Sequence, residues 1–356
     1  MKKTIGFGII GCGNIGAIHA DSIKKIDNAR LIAVCDSNLN SAKNFGEKYQ
    51  VDYFQDYKKL LEHKDIDVIN ICVPSGMHMD ISIKASNAGK HILCEKPLEI
   101  NLQKIDAINE AVRKNKVKLG VVLQKRLQQP SKIIKKALDE RKLGRIISGS
   151  VYLKGYRTQE YYDQGKWRGT WEHDGGGCLM NQGIHDIDLL QWFLGPVESV
   201  YAITDTMAHE RIEVEDMAIA IVKFKNKAKG VIESSTSCYP GFPSSINIYG
   251  TKGTINLRDD KIVDWKFMNP TEEDELFSNK ILIDLKNSCQ SKNINYSDPI
   301  KLLKDRHKHV LEDMVRAVRD NTMPEITGEE ARKSVEIILA IYESARTNTE
   351  IRLPLG

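Results

Sequence analysis

Asn181 and His185 lie four residues apart in Gly175-Gly-Gly-Cys-Leu-Met-Asn-Gln-Gly-Ile-His-Asp-Ile-Asp-Leu-Leu-Gln-Trp192. On a helix that spacing places both side chains on one face within a turn of each other. An imidazole beside an amide suits holding a hydroxyl and taking its proton, because histidine titrates near neutrality. Ile184, Ile187, Leu190 and Phe193 recur at three-residue steps, the pattern of an amphipathic helix. Three glycines make a flexible approach to it. The bland alternative is a helix capped by Asn181 with a structural histidine inside. A second reactive group is Lys96 in Glu95-Lys96-Pro97. An ammonium there can hydrogen-bond a substrate oxygen and stabilise charge as a proton leaves. The following proline restrains the backbone, and an X-Pro bond populates cis far more readily than other peptide bonds. A surface lysine paired with Glu95 is the competing reading.

The elements that must position these groups begin at the amino end. Thr4 to Ile10 is an apolar run of the kind a strand covered on both faces requires. It leads into Gly11-Cys12-Gly13-Asn14-Ile15-Gly16 and then a helical pattern carrying Ile18, Ile23 and Ile26. Gly11 allows the tight turn, Gly13 lets backbone amides approach a pyrophosphate, and Gly16 lets helix and strand pack closely. The helix start, at Asn14 and Ile15, turns unpaired amides and a positive dipole end toward the phosphates. A second strand, Leu31 to Cys35, ends in Asp36, twenty residues after Gly16, where an acid accepts hydrogen bonds from the adenosine ribose. A carboxylate repels a 2′-phosphate, and Ser37-Asn38 offers no arginine to bind one. The cofactor expected is NAD rather than NADP.

Strand and helix patterns then alternate through Leu39–Tyr49, Tyr57–His63, Val68–Val73, Met79–Ala88, His91–Cys94, Leu102–Asn115 and Lys118–Leu123. Such alternation implies a doubly wound parallel sheet, which binds ligands at the carboxyl ends of its strands. That rule selects Pro74, Ser75 and His78 after the third long apolar strand, and Glu95 and Lys96 after the next. Beyond Lys125–Leu127 the pattern changes. A helix over Ser131–Arg141 and a strand over Ile146–Tyr156 precede the histidine helix, and strands follow over Ser199–Thr204, Asp216–Phe224, Gly230–Ser237, Ser245–Tyr249 and Gly253–Leu257. The gaps between these strands are too short for helical crossovers, so an antiparallel order is expected. Asn269 to Tyr296 is polar and irregular, and helices over Pro299–Asp320 and Glu329–Thr347 close the chain. We therefore expect an α/β protein with a Rossmann domain at 1–124 and a second domain at 125–356 that binds substrate and, through the open face of its sheet, a partner subunit. A homodimer or homotetramer follows.

Between the strand ending near Tyr156 and the histidine helix lies a segment rich in Tyr161, Tyr162, Trp167, Trp171, Arg157 and Arg168. It is too aromatic for disorder. Its rings offer flat faces for a sugar or a uracil, and Arg157 or Arg168 can clamp an anion bidentately. Packing against the sheet is an equally good account of any single ring.

Composition limits what else the chain can be. Over 356 residues it carries 41% hydrophobic and 28% charged residues with a net charge of +4, an ordinary soluble balance. The basic runs at Lys132–Lys136 and Lys301–Lys308 look like exposed helix faces, so no nucleic-acid partner is expected. The seven cysteines are scattered without a Cys-x-x-Cys pair, as in a reducing cytosol, and no metal site is expected. No apolar run of about 18 residues occurs, and Met-Lys-Lys leads straight into a strand. No membrane association and a cytoplasmic location are expected.

Gly11-x-Gly13-x-x-Gly16, Asp36, the Pro74…His78 loop, Glu95-Lys96-Pro97 and Asn181…His185 together resemble the motif order of the Gfo/Idh/MocA oxidoreductases, across essentially the whole chain. The resemblance implies a Rossmann domain followed by an α/β domain with a large open sheet, and oxidation of a hydroxyl of a sugar, inositol or nucleotide-sugar with NAD or NADP. It places catalysis on Lys96 and His185. The aspartate usual in the family four residues before the histidine is Asn181 here, which puts in doubt a proton relay that relies on that carboxylate. Glu160-Tyr-Tyr-Asp163, Trp167-Arg-Gly-Thr-Trp-Glu172, Asp174-Gly-Gly176 and Met180-Asn-Gln182 look like the branch oxidising UDP-N-acetylglucosaminuronate at C3. The alternatives are an inositol or free-sugar dehydrogenase of the same family, an NAD-dependent glycosidase, or a non-catalytic NAD-binding regulator.

Overall fold

The computed structural model describes residues 4–165, 167–276, 278, 281 and 299–356. The chain forms two compact units. The first comprises Met1–Gln124 and Tyr296–Arg332, and the second Lys125–Asn295 and Lys333–Gly356.

Six parallel strands build the first unit: β1 (Ile5–Ile10), β2 (Ala29–Cys35), β3 (Asp52–Phe54), β4 (Val68–Ile71), β5 (His91–Cys94) and β6 (Leu119–Val121). Their order is β3-β2-β1-β4-β5-β6. Helices α1 (Asn14–Ile23), α2 (Leu39–Tyr49), α3 (Tyr57–Leu61), α4 (His78–Asn87) and α5 (Leu102–Lys114) lie between the strands. Ile5, Phe7, Ile9, Ile69, Ile71, Ile92 and Leu93 are buried to 1% exposure or less, which is why their strands read as continuous apolar runs. Two helix starts are fixed by asparagine: Asn38 accepts from the amides of Asn40 and Ser41, and Asn101 from that of Lys104. Strand order reverses between β1 and β4, and a sheet of this kind binds its ligands in the crevice beside such a reversal. β3 escapes the sequence pattern because three residues are too few to show a period.

The penultimate helix, Pro299–Arg319, belongs to this first unit and packs on α1. The next stretch follows it there, the carbonyl of Ile326 accepting from the amide of Val121. The second unit is therefore not one unbroken run over 125–356, because the chain returns to the first unit for 296–332. Helical periodicity shows that a helix has an apolar face and is silent on what the face covers.

In the second unit, α6 (Gln129–Asp139), β7 (Ile146–Lys154), α7 (Gln159–Asp163) and α8 (Ile184–Leu194) precede β8 (Val197–Asp205), β9 (Met217–Phe224), β10 (Lys229–Ser235), β11 (Ser245–Gly250), β12 (Gly253–Arg258), β13 (Lys261–Phe267) and β14 (Ile351–Arg352). Their order is β13-β12-β11-β7-β10-β9-β8-β14, and every pair is antiparallel except β7 with β10. One face packs on α8, whose Leu194 would touch any side chain added at Gly149. The other face carries exposed Tyr201, Ile203, Ile219, Ile221 and Tyr249. Tyr201 pairs with Ile221 and Ile203 with Ile219, so these residues share one side of the sheet. The last helix, Gly328–Thr347, begins in the first unit and continues into the second. Most of the polar stretch expected to be irregular, Asn269 to Tyr296, lies outside the described residues.

Candidate active site

In the first unit the loop after β1 is fixed by two close approaches. Gly11 has φ +104°, and a Cβ there would lie 2.4 Å from the carbonyl oxygen of Cys72. A Cβ on Gly16 would lie 2.1 Å from the carbonyl oxygen of Gly11. Only glycine fits either position. Around Gly13 nothing stands within 4 Å of the same construction, so the helix start is open where a ligand would approach. Gly13 caps α1 with no side-chain hydrogen bond, and the amides of Asn14 and Ile15 face outward from the first turn.

Asp36 follows β2 directly. Its two oxygens accept from the amides of Cys12, at 2.9 Å, and Asn38, at 2.9 Å. The carboxylate is thereby fixed beside the glycine loop. Ser37 beside it is exposed, its carbonyl taking a hydrogen bond from Gln55 at 3.1 Å. An open helix start, a glycine turn and a fixed acid suit NAD.

After β4, Pro74 opens a 3-10 turn over Ser75–Met77, and Ser75 is buried. His78 departs from the expected cofactor contact. It is fully buried, with Nδ1 2.9 Å from the carbonyl oxygen of Pro97 and 3.2 Å from that of Leu98, and Nε2 3.0 Å from that of Val73. Its ring ties the loop after β4 to the Lys96-Pro97 segment, leaving neither nitrogen to a ligand. Lys96 is half-buried, and the Lys96-Pro97 bond is cis. Glu95 is buried: its Oε1 accepts from His19 at 2.9 Å and His307 at 3.2 Å, and its Oε2 from the Lys96 amide at 3.2 Å. Neither histidine is marked in the sequence. They are 76 and 212 residues from Glu95, too far for any local pattern.

In the second unit the chain before the histidine helix is firmly built. Gly177 is no hinge: a Cβ there would stand 1.8 Å from the carbonyl oxygen of Glu215. The Glu215 carboxylate accepts from the amides of Gly177 and Leu179 and from the Tyr342 hydroxyl, each at 2.9 Å. Burial pushes that carboxyl above its ordinary range, although these three donors favour the charged form. Cys178–Gly183 is one π-helical segment, and the regular helix starts only at Ile184. Asn181 and His185 therefore do not share the regular α-helix their spacing implied. π segments are common at functional sites, where they re-aim side chains. The Asn181 amide donates to Asp174 Oδ1 at 2.8 Å, while Asp174 Oδ2 accepts from the Gly169 amide at 3.0 Å. A buried carboxylate thus stands against Asn181 although position 181 is itself an amide. His185 is half-exposed. Its helix is anchored on both sides, Asp186 by Lys125 at 2.7 Å and Asp188 by two hydrogen bonds from Arg126 at 2.7 and 2.6 Å.

The aromatic segment divides. Tyr162 is buried, its hydroxyl 2.8 Å from that of Thr236, and it packs as a core residue. Tyr161 is a platform. The Arg168 guanidinium lies 4.5 Å from its ring centroid and 4.4 Å from that of Trp167, and donates to the Tyr161 hydroxyl at 2.7 Å. Arg157 lies 5.4 Å from the same Tyr161 ring and is exposed. Two guanidiniums thus share one ring.

This combination defines a dinucleotide-dependent oxidoreductase. Residues 5–123 match the oxidoreductase family with an NAD-binding Rossmann fold, and residues 132–256 match the GFO/IDH/MocA C-terminal domain. The chain belongs to this family, the one its motif order resembles, and is an NAD-dependent oxidoreductase. It is similar to the WlbA dehydrogenase from Bordetella pertussis, solved with NADH and UDP-GlcNAcA, at 33% identity and a TM-score of 0.89 over 99% of each chain. The WlbA dehydrogenase from Chromobacterium violaceum, solved with the same two ligands, is 34% identical with a TM-score of 0.87 over 100% of this chain and 98% of that one. By sequence the chain is also similar to myo-inositol 2-dehydrogenase from Thermotoga maritima, 25% identical over 97% of this chain and 98% of that protein. Among the described residues no helix is long and apolar enough to cross a membrane.

Proposed function

We propose that this protein oxidises a secondary hydroxyl of an anionic nucleotide-sugar, a UDP-linked N-acetyl-hexosaminuronate, at C3. The observation that carries the reading is the pair Arg157 and Arg168 on the Tyr161 ring. Neutral inositols offer such a pair only uncharged hydroxyl acceptors, whereas a pyrophosphate and a carboxylate match guanidinium geometry with paired, charge-assisted hydrogen bonds. The similarity to two dehydrogenases solved with UDP-GlcNAcA points the same way.

NAD, when bound, supplies the hydride acceptor, and the protein contributes position and electrostatics. The amides of Asn14 and Ile15 would hold the pyrophosphate beside Gly11, Gly13 and Gly16, and Asp36, with Ser37 next to it, would hold the adenosine ribose. Pro74, Ser75, Glu95 and Lys96 are the residues that would lie toward the nicotinamide. Removal of the hydroxyl proton is assigned to His185 and stabilisation of the developing charge to Lys96. Asn181, held by Asp174, orients the sugar, and Trp167 gives it an apolar face.

Myo-inositol oxidation is the second reading, favoured by the similarity to the Thermotoga maritima enzyme over nearly the whole chain. A panel of UDP-sugars, free hexoses and inositols assayed for NAD reduction separates the two. NADH formation with UDP-N-acetylglucosaminuronate is expected, with Arg168→Lys raising its Michaelis constant about tenfold and changing turnover less. Efficient oxidation of inositol or glucose with every UDP-sugar ignored rejects the nucleotide-sugar reading. An NAD-dependent glycosidase would instead cleave a glycoside with no NADH accumulating, and a regulator would turn over none of the panel.

We further propose that the exposed apolar side of the second unit's sheet is covered by a second copy of the chain, giving a homodimer or homotetramer.

A further inference from the structure

Glu95 gathers hydrogen bonds from three separate parts of the first unit. His19 comes from α1, directly behind the glycine loop; His307 comes from the penultimate helix; and the Lys96 amide comes from the residue assigned above to the reacting oxygen. His19 and His307 are exposed to 0% and 2%. Their rings stand edge to face, with centroids 5.3 Å apart. The direction of each hydrogen bond can be read. The Asn70 side-chain nitrogen lies 2.9 Å from His19 Nδ1, so Nδ1 accepts and Nε2 carries the proton given to Glu95. Burial lowers the His19 pKa, against the hydrogen bond and charge of Glu95, which raise it. Burial alone would raise the Glu95 carboxyl, but the hydrogen bonds from His19 and His307, together with Coulombic attraction to the two rings, outweigh it and hold the group well below the usual carboxylate range. The result is a buried anion with two ring donors on one oxygen and the Lys96 main chain on the other. A surface Glu-Lys ion pair would need none of this.

We propose that His19 and His307 are positioning residues for Lys96, acting through Glu95. This rests on the reading of Lys96 as the group that steadies the substrate oxygen. With Oε1 pinned from two helices, the carboxylate is held against rotation, and Oε2 holds the backbone N–H of Lys96, next to the Cα that carries the lysine side chain. A displacement of about 1 Å at a reacting group costs on the order of a hundredfold in rate, so anchoring of this kind is worth a buried charge. The helix that supplies His307 returns from far along the chain, which gives its docking on the first unit a role in the chemistry.

The test compares His307→Leu, which deletes the donor, with His307→Gln, which keeps an N–H group, and with Glu95→Gln, which keeps the shape and removes the charge. Turnover is measured with whichever of UDP-N-acetylglucosaminuronate or myo-inositol the wild type oxidises, NAD affinity by titration, and exchange of the Lys96 amide by mass spectrometry on the protein without substrate. His307→Leu and Glu95→Gln should lower kcat about tenfold or more with KM and NAD affinity within about threefold, and His307→Gln should recover most of the loss. The Lys96 amide should exchange about tenfold faster in the Leu variant. Wild-type kcat and wild-type Lys96 exchange in His307→Leu overturn the proposal. So does an equal loss of kcat, NAD binding and thermal stability in the Leu and Gln variants, the behaviour of a merely structural residue. Stoichiometric zinc retained through dialysis would also overturn it, since the three side chains would then be ligands. Lys96→Met separates the two readings: wild-type turnover there defeats the role of Lys96, while the exchange measurement still judges the anchoring.

Discussion

At the scale of single residues, Asp36 and the pair Lys96 and His185 carry most of the consequences. Asp36 is held by two backbone amides, so its charge cannot swing away from a 2′-phosphate. NAD is expected to bind at least about tenfold more tightly than NADP, a difference near 1.4 kcal/mol, and Asp36→Ala should narrow that gap. Calorimetric titration with both dinucleotides reads it directly; equal affinities in the wild type would remove the argument. Lys96→Met and His185→Ala should each reduce turnover by about a hundredfold or more with NAD affinity nearly unchanged. If the roles proposed for both residues belong to one proton transfer, the double variant should fall far short of the product of the single losses. A single variant that keeps near wild-type kcat would strip that residue of its role.

At the scale of elements, the histidine helix is held by charge as well as by its apolar face. Arg126 and Asp188, exposed to 3% and 1%, meet through two hydrogen bonds. Removing one partner of such a pair strands a buried charge, at a cost of about 3–5 kcal/mol. Arg126→Leu should therefore lower the melting temperature by several degrees and reduce turnover, whereas replacing both with apolar residues should cost less stability. Thermal denaturation of the single and double variants measures the difference. Near-equal melting of Arg126→Leu and wild type would show that the pair contributes little. The π segment before this helix belongs to the same scale: Glu215 and the tight packing at Gly177 fix its start, and Asp174 fixes the Asn181 amide it presents.

At the scale of the whole molecule, the second unit presents a broad sheet with one side packed on α8 and the other carrying Tyr201, Ile203, Ile219 and Ile221 to solvent in a single chain. Contiguous apolar surface of this kind marks a protein contact. Sedimentation should give a dimer or tetramer, and Ile203→Lys with Ile221→Lys should shift it toward monomer. A wild-type monomer at micromolar concentration would count against the assembly.

What the sequence determined by itself is the part governed by local spacing. The glycine loop with its strand, helix and acid, the alternation that makes a parallel sheet, and the short-gapped strands of the second unit all follow from periods of 2 and 3.6 and from turn chemistry. Lys96, His185, Arg157 and Arg168 stood out as residue types that could do chemistry. What only the tertiary structure decided is who meets whom over long separations. His307 reaches Glu95 across 212 residues, Tyr342 reaches Glu215 across 127, and the helix Pro299–Arg319 leaves the second unit for the first. No local pattern encodes these meetings, because an apolar face or a buried histidine is compatible with many partners. His78 shows the same limit in reverse: its position in the loop after β4 fits a cofactor contact, and packing turned its ring onto three carbonyls instead. The π segment, too, arises from packing, since Glu215 and the close fit at Gly177 set the chain's path before the intrinsic preference of its residues can.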